Sequence, residues 1–160
     1  MCHERSGKIM KEQQVFRSIS ELQRFSESFA KQIEPGQLIG LEGPLGAGKT
    51  TFVRFLVEAL TSSDSKKLDV RSPTFGLFNE YPTTPAILHA DLYRFYGKSE
   101  GEILLELDHI GFRDYLATKT VLLIEWYDLV PSDPYCADFR LRFRYGKTES
   151  ERELEVLSRP

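Results

Sequence analysis

Cysteine is scarce in this chain. Cys2 and Cys136 are the only two among 160 residues, too few for a disulfide framework and without the spacing of paired metal ligands. A reducing, cytoplasmic setting is therefore the expectation. Long apolar runs are missing as well. No stretch approaches the ~20 residues that cross a bilayer, and the first residues lack the apolar segment of a secretory leader. Neither sign of charge dominates: 21 Lys and Arg stand against 24 Asp and Glu, a formal net charge of −3. Such a balance gives no global electrostatic reason to bind nucleic acid. If RNA is involved, a partner is expected to hold most of it. Asparagine occurs once, at Asn79, and tryptophan once, at Trp126. Internal repeats and low-complexity segments are absent.

What is present suits one domain with a substantial core, since 41% of residues are hydrophobic and 12% aromatic. Residues 1–14 are mostly polar and read as a flexible tail, leaving 15–160 as a single domain. Val15 to Ile19 is expected as a first short strand. Ser18 with Glu21, or Ser20 with Gln23, fits a capping box for a helix burying Leu22, Phe25, Phe29 and Ile33. Apolar strands are expected over Gln37–Leu41, Leu68–Val70, Gly76–Tyr81, Ala86–Asp91 and Val121–Trp126, with short helices over Glu100–Leu107 and Phe112–Ala117. Asp138–Tyr145 alternates strictly between apolar and charged residues, and Glu151–Leu157 alternates again, which predicts a hairpin around Gly146-Lys147. Helices interleaved with apolar strands predict an α/β sandwich, and the terminal hairpin makes its sheet mixed.

One segment carries chemistry unmistakably. Gly43 to Thr50 read G-P-L-G-A-G-K-T, a complete phosphate-binding loop. A strand precedes it, and Thr51–Leu60 has helical spacing with Phe52, Phe55, Leu56 and Leu60 on one face. Backbone N–H groups at a helix N-terminus suit the dense negative charge of a polyphosphate. Gly43, Gly46 and Gly48 let that backbone approach closely, and Leu45, Ala47 and Thr51 complete the cradle. Lys49 is expected at the β/γ-phosphates and the Thr50 hydroxyl on Mg²⁺.

A hard cation wants an anionic oxygen beside Thr50. Ligand sites in such sheets gather at the carboxyl ends of strands, where Asp91 and Glu125 stand. Glu125 is assigned to the metal and Asp91 to the attacking water, with the exchange of the two left open. His89 shares a strand face with Asp91 and is a candidate for the γ-phosphate region or for a partner, against an ordinary buried histidine. Arg94 follows closely and suits charge developing on a transferred phosphoryl group. Ser72 and Thr74, on a loop stiffened by Pro73, are candidate nucleotide sensors.

Three further readings remain open. Trp126 succeeds Glu125 on the opposite strand face, so core packing is its default role and a partner-facing anchor the alternative. Arg140, Arg142 and Arg144 form a basic row with ~7 Å between successive members, a solvated face or a dock for an acidic partner or RNA. Guanine is usually read by Asn-Lys-x-Asp, and the single Asn79 is followed by Glu80 and Tyr81. ATP is therefore the expected nucleotide.

Together L-x-G-x-L-G-A-G-K-T-T at Leu41–Thr51, S-P-T-F at Ser72–Phe75, H-A-D-L-Y-R at His89–Arg94 and I-E-W at Ile124–Trp126 form an ordered set. The chain closely resembles the TsaE (YjeE) family, the ATPase component of bacterial tRNA threonylcarbamoyladenosine synthesis, over roughly residues 15 to 145. The resemblance implies a P-loop NTPase-like three-layer sandwich, with a mixed, largely parallel central sheet and a C-terminal antiparallel hairpin. It implies ATP and Mg²⁺ as cofactors, and TsaB and TsaD as partners through which tRNA is met. It also implies Lys49 and Thr50 as nucleotide and Mg²⁺ residues, Glu125 as the second metal-site acid, Asp91 as the carboxylate needed for hydrolysis, and Ser72–Thr74 as a switch-like loop. The family usually follows Glu-Trp with proline, whereas Tyr127-Asp128 stands here; the first ten or so residues have no evident counterpart. A small-molecule kinase and a nucleotide-gated binding module are the alternative functions.

Overall fold

The computed structural model describes residues 9–61, 68–73, 76–131 and 136–159. Its strands are β1 (Met10–Phe16), β2 (Leu38–Glu42), β3 (Phe78–Tyr81), β4 (Ile87–Asp91), β5 (Val121–Glu125), β6 (Phe139–Tyr145) and β7 (Arg152–Ser158). The helices are α1 (Ile19–Ala30), α2 (Lys49–Leu60), α3 (Glu100–His109) and α4 (Phe112–Tyr115). All seven strands form one sheet in the order β1-β7-β6-β2-β5-β4-β3. β2, β4, β5 and β6 run parallel, while β7 and β3 run against their neighbours. The mixed, largely parallel sheet with its terminal hairpin is thus as expected.

Helices cover both faces. On one, α1 and α2 pack on Ile39, Leu41, Leu123, Leu141 and Phe143. On the other, α3 and α4 bury Ile103, Leu107 and Phe112 against Leu38, Leu88, Leu122 and Ile124. The alternation along β2 and β5 feeds both cores at once, which is why these strands read as unbroken apolar runs. Gly48 gives α2 no side-chain cap. Packing anchors that helix instead: Phe52, Val53, Leu56 and Val57 are each 0% exposed, and burying such a side chain contributes roughly 1.5–3 kcal/mol. α1 begins where Ser18 accepts the Glu21 N–H at 3.3 Å, and Glu21 in turn accepts the Arg17 N–H at 2.7 Å.

Several boundaries differ from expectation. The first strand begins at Met10 and ends at Phe16 rather than spanning 15–19, so residues 10–14 belong to the sheet and not to a tail. Register partners from Met10↔Ser158 to Phe16↔Arg152 supply the hydrogen bonds that its polar sequence does not advertise. Leu68 and Val70 pack on the first core without forming a strand. Thr74 and residues 1–8 lie outside the described residues.

The basic row of β6 is largely spoken for. Glu42 accepts from Arg140 Nε at 2.6 Å and from Arg142 Nε at 2.7 Å, while Glu155 takes Arg142 at 3.2 Å and Lys11 at 2.6 Å. These contacts hold Arg142 above its usual pKa, chiefly through the Glu42 hydrogen bond. Arg144 remains exposed. A free basic stripe is therefore not what β6 presents.

Candidate functional site

The carboxyl ends of β2, β4 and β5 open into a cavity of about 420 Å³, within the size range of small-molecule sites. Leu45, Gly46, Gly48, Lys49, Thr50 and Thr51 form one wall, and Ser72, Asp91, Arg94, Glu125 and Trp126 face them. The loop backbone needs its glycines. Gly43 has φ +126°, and a Cβ there would lie 2.3 Å from the Phe143 carbonyl oxygen. Gly48, at φ +109°, turns the chain into α2. The first helical bond is Phe52 N–H to Gly48 O at 2.9 Å, so the preceding amides have no helical acceptor. Ala47 contributes differently: its N–H is bonded to Pro44 O at 3.2 Å, and its side chain joins the first core. Tyr145 donates its hydroxyl to the Leu45 carbonyl, pinning the loop tip.

Lys49 is only 4% exposed. Its ammonium donates to Gly43 O at 2.6 Å and Pro44 O at 2.9 Å, and it lies 4.3 Å from the Trp126 ring centre. Burial lowers its pKa, opposed by the charges of Glu125, Asp91 and Asp128. A buried cation short of matched charge is a natural receptor for anionic oxygens.

Thr50 and Glu125 meet across the cavity floor. The Thr50 hydroxyl lies 2.8 Å and 2.9 Å from the two Glu125 oxygens. Adjacent ligands of an octahedral Mg²⁺ bonded at 2.0–2.1 Å are separated by about 2.9 Å. A neutral hydroxyl and a carboxylate already at that spacing fit the cation. Asp91 is the register partner of Glu125. It accepts the Tyr93 N–H at 2.9 Å on one oxygen and the Ser72 hydroxyl on the other. The Ser72–Pro73 segment is thereby tied to the strand-end acid.

Two of the expected residues stand away from the cavity floor. Arg94 is exposed at the mouth. His89 is fully buried behind Glu125, with Nε2 at 2.9 Å from Oε1. Trp126 departs from its expected core role. β5 ends at Glu125 and Trp126 takes φ 60°, so period-two alternation stops one residue earlier than assumed. Its ring reaches the cavity above Lys49 and meets Tyr93 at 5.1 Å and Tyr96 at 6.2 Å, while one flank packs on the second core. Sequence reasoning also missed Tyr145, whose place at the end of an alternating strand beside the loop was the available signal.

The TsaE family model, described as "Threonylcarbamoyl adenosine biosynthesis protein TsaE", matches residues 16–154. Among curated proteins, the tRNA threonylcarbamoyladenosine biosynthesis protein TsaE of Aquifex aeolicus is 38% identical over 99 residues, covering 59% of this chain and 73% of that one. Its Rickettsia prowazekii namesake is 35% identical over 114 residues, covering 71% and 72%. Among solved structures, Bacillus subtilis YdiB superposes with TM-score 0.66 at 24% identity over 95% of this chain and 88% of that one, a likeness of fold.

Proposed function

The chain belongs to the TsaE family of threonylcarbamoyladenosine biosynthesis, and from that premise we propose that it is a Mg²⁺-dependent ATPase. It acts in the cytoplasm with TsaB and TsaD, in the threonylcarbamoylation of adenosine next to the anticodon of tRNA. The observation that carries the enzymatic part is the Thr50–Glu125 contact at 2.8 Å beside Lys49 and Asp91.

In this reading the amides from Gly48 onward that lack a helical acceptor and the Lys49 ammonium bind the β- and γ-phosphates. Thr50 and Glu125 hold Mg²⁺, which when bound neutralises charge on the phosphate oxygens. Asp91 orients the attacking water through a carboxylate fixed by the Tyr93 amide. Ser72, bonded to that same carboxylate, links the following loop to the hydrolytic state. Arg94 at the mouth stabilises negative charge developing on the phosphoryl group. Trp126 screens Lys49 from water, which strengthens the attraction of the ammonium for phosphate. ATP is the nucleotide because the chain lacks the Asn-Lys-x-Asp guanine reader.

The test is ATP hydrolysis by the purified chain, alone and with TsaB, TsaD and tRNA. Slow turnover alone and strong stimulation by the complex are expected. Full multi-turnover tRNA modification without this chain would sink the proposal. An Asp91→Asn protein that cannot hydrolyse ATP yet sustains modification would instead make the chain a nucleotide-gated binding module. Metabolite-dependent ATP consumption would make it a kinase.

A further inference from the structure

His89 has no part in the chemistry just proposed, yet it occupies the best-protected polar position behind it. The imidazole is 0% exposed. Ile87 and Ala90 on its own strand and Leu123 opposite are apolar and fully buried, and the Tyr81 ring stacks over it at 6.2 Å and 27°. Its Nε2 lies 2.9 Å from Glu125 Oε1, while Nδ1 is buried without a hydrogen-bond partner among the described residues. A buried nitrogen left unsatisfied costs folding free energy. An apolar side chain would fill the same space without that cost but would take from the buried Glu125 its imidazole partner.

The hydrogen-bond pattern assigns its form. The acceptor is a carboxylate oxygen, so Nε2 carries the hydrogen in this contact. That donor acts on one oxygen only. Oε1 receives both His89 and the Thr50 hydroxyl, whereas Oε2 has only the Thr50 hydroxyl at 2.9 Å. Only one oxygen is tethered to the buried imidazole, while the carboxylate as a whole lines the cavity.

We infer that His89 is a positioning residue for cation binding: its Nε2–H holds Glu125 by Oε1, so that Oε2 stays aimed at the place a metal shares with the Thr50 hydroxyl. The inference rests on reading the cavity as a Mg²⁺-nucleotide site. Mg²⁺ tolerates little departure from octahedral geometry, and a carboxylate on a free rotor spends much of its time misaligned. Partners one shell behind a ligand typically govern metal affinity by 10–100-fold.

The test compares the parent with His89→Leu, which removes the donor and keeps an apolar filling, and with His89→Gln, which retains an N–H of similar reach. ADP and ATP binding are followed by calorimetry in EDTA and across a Mg²⁺ titration, with urea unfolding measured alongside. For His89→Leu, half-maximal enhancement of binding should require about 10–100-fold more Mg²⁺, with metal-free affinity unchanged. His89→Gln should recover most of the Mg²⁺ response. Parental Mg²⁺ dependence in His89→Leu overturns the inference. So does a matched fall in metal-free and metal-dependent binding, or failure of His89→Leu to fold, since either makes the imidazole structural. A parent protein that binds no nucleotide at any Mg²⁺ concentration refutes the underlying site reading instead.

Discussion

Gly40 and Tyr127 form a pair whose coupling can be measured. A Cβ on Gly40 would fall 2.3 Å from Tyr127 Cγ, 2.4 Å from Cδ1 and 2.9 Å from Cβ. Carbon atoms pack at about 3.5–4.0 Å, so in Gly40→Ala the ring must retreat by roughly 1 Å. Overpacking of this kind costs about 1–3 kcal/mol. Retreat also strains the bond from the Ala137 N–H to the Tyr127 hydroxyl, 2.9 Å long and worth about 0.5–1.5 kcal/mol. Loss of glycine's freedom in the unfolded chain returns about 0.4–1 kcal/mol. The net expectation is a loss of about 2 kcal/mol. Tyr127→Ala alone should cost about 3–5 kcal/mol for the cavity it leaves. With the ring gone, most of the clash is gone, and Gly40→Ala should then cost less than about 1 kcal/mol. Urea unfolding of the four proteins measures the cycle, and emission from the single Trp126, next to Tyr127, reports locally on the displaced turn. Equal costs of Gly40→Ala in both backgrounds, to within about 0.5 kcal/mol, would refute the contact.

Lys49→Met keeps the volume and removes a buried charge whose pKa is depressed by burial. Urea unfolding should show stability at or above the parent while nucleotide binding is lost, and a clear destabilisation would contradict this. Glu155 has its pKa lowered, first by the Lys11 hydrogen bond and then by Arg142. Its contribution is therefore present above the unfolded glutamate pKa, about 4.3, and disappears as pH falls through the lower folded value. Glu155→Gln should accordingly flatten the stability–pH curve below about pH 4.3, and an unaltered acid limb would count against the pairing. Tyr145→Phe removes the hydroxyl that holds the Leu45 carbonyl. It should cost about 0.5–1.5 kcal/mol and weaken nucleotide binding measured by calorimetry; unchanged affinity would free the loop tip from this role.

Most of the sheet was legible because its information is local. β2 and β5 are unbroken apolar runs, β6 and β7 alternate, and the phosphate loop is contiguous. What stayed hidden depends on residues far apart in the chain. The polar residues of β1 become a strand only because β7 offers its edge. Arg140 and Arg142 read as free charge until Glu42, about a hundred positions earlier, proves to be their shared acceptor. Trp126 was misplaced for a different reason. Period two holds only while the backbone stays extended, and nothing in Glu-Trp-Tyr announces the left-handed turn. The acids at the strand ends were legible from strand position. The service of His89 to Glu125 was not, since it spans 36 positions across two strands.

The strand that launches the phosphate loop lies between β6 and β5, both of which leave the ribosome long after it. During synthesis, then, Gly43–Thr50 emerges with neither flank in place. Its acidic counterpart Glu125 follows Thr50 by 75 positions, and the Phe143 carbonyl that crowds Gly43 comes later still. A nascent or truncated chain ending before residue 121 has the complete motif and neither flanking strand, so the loop is spelled out long before its walls exist.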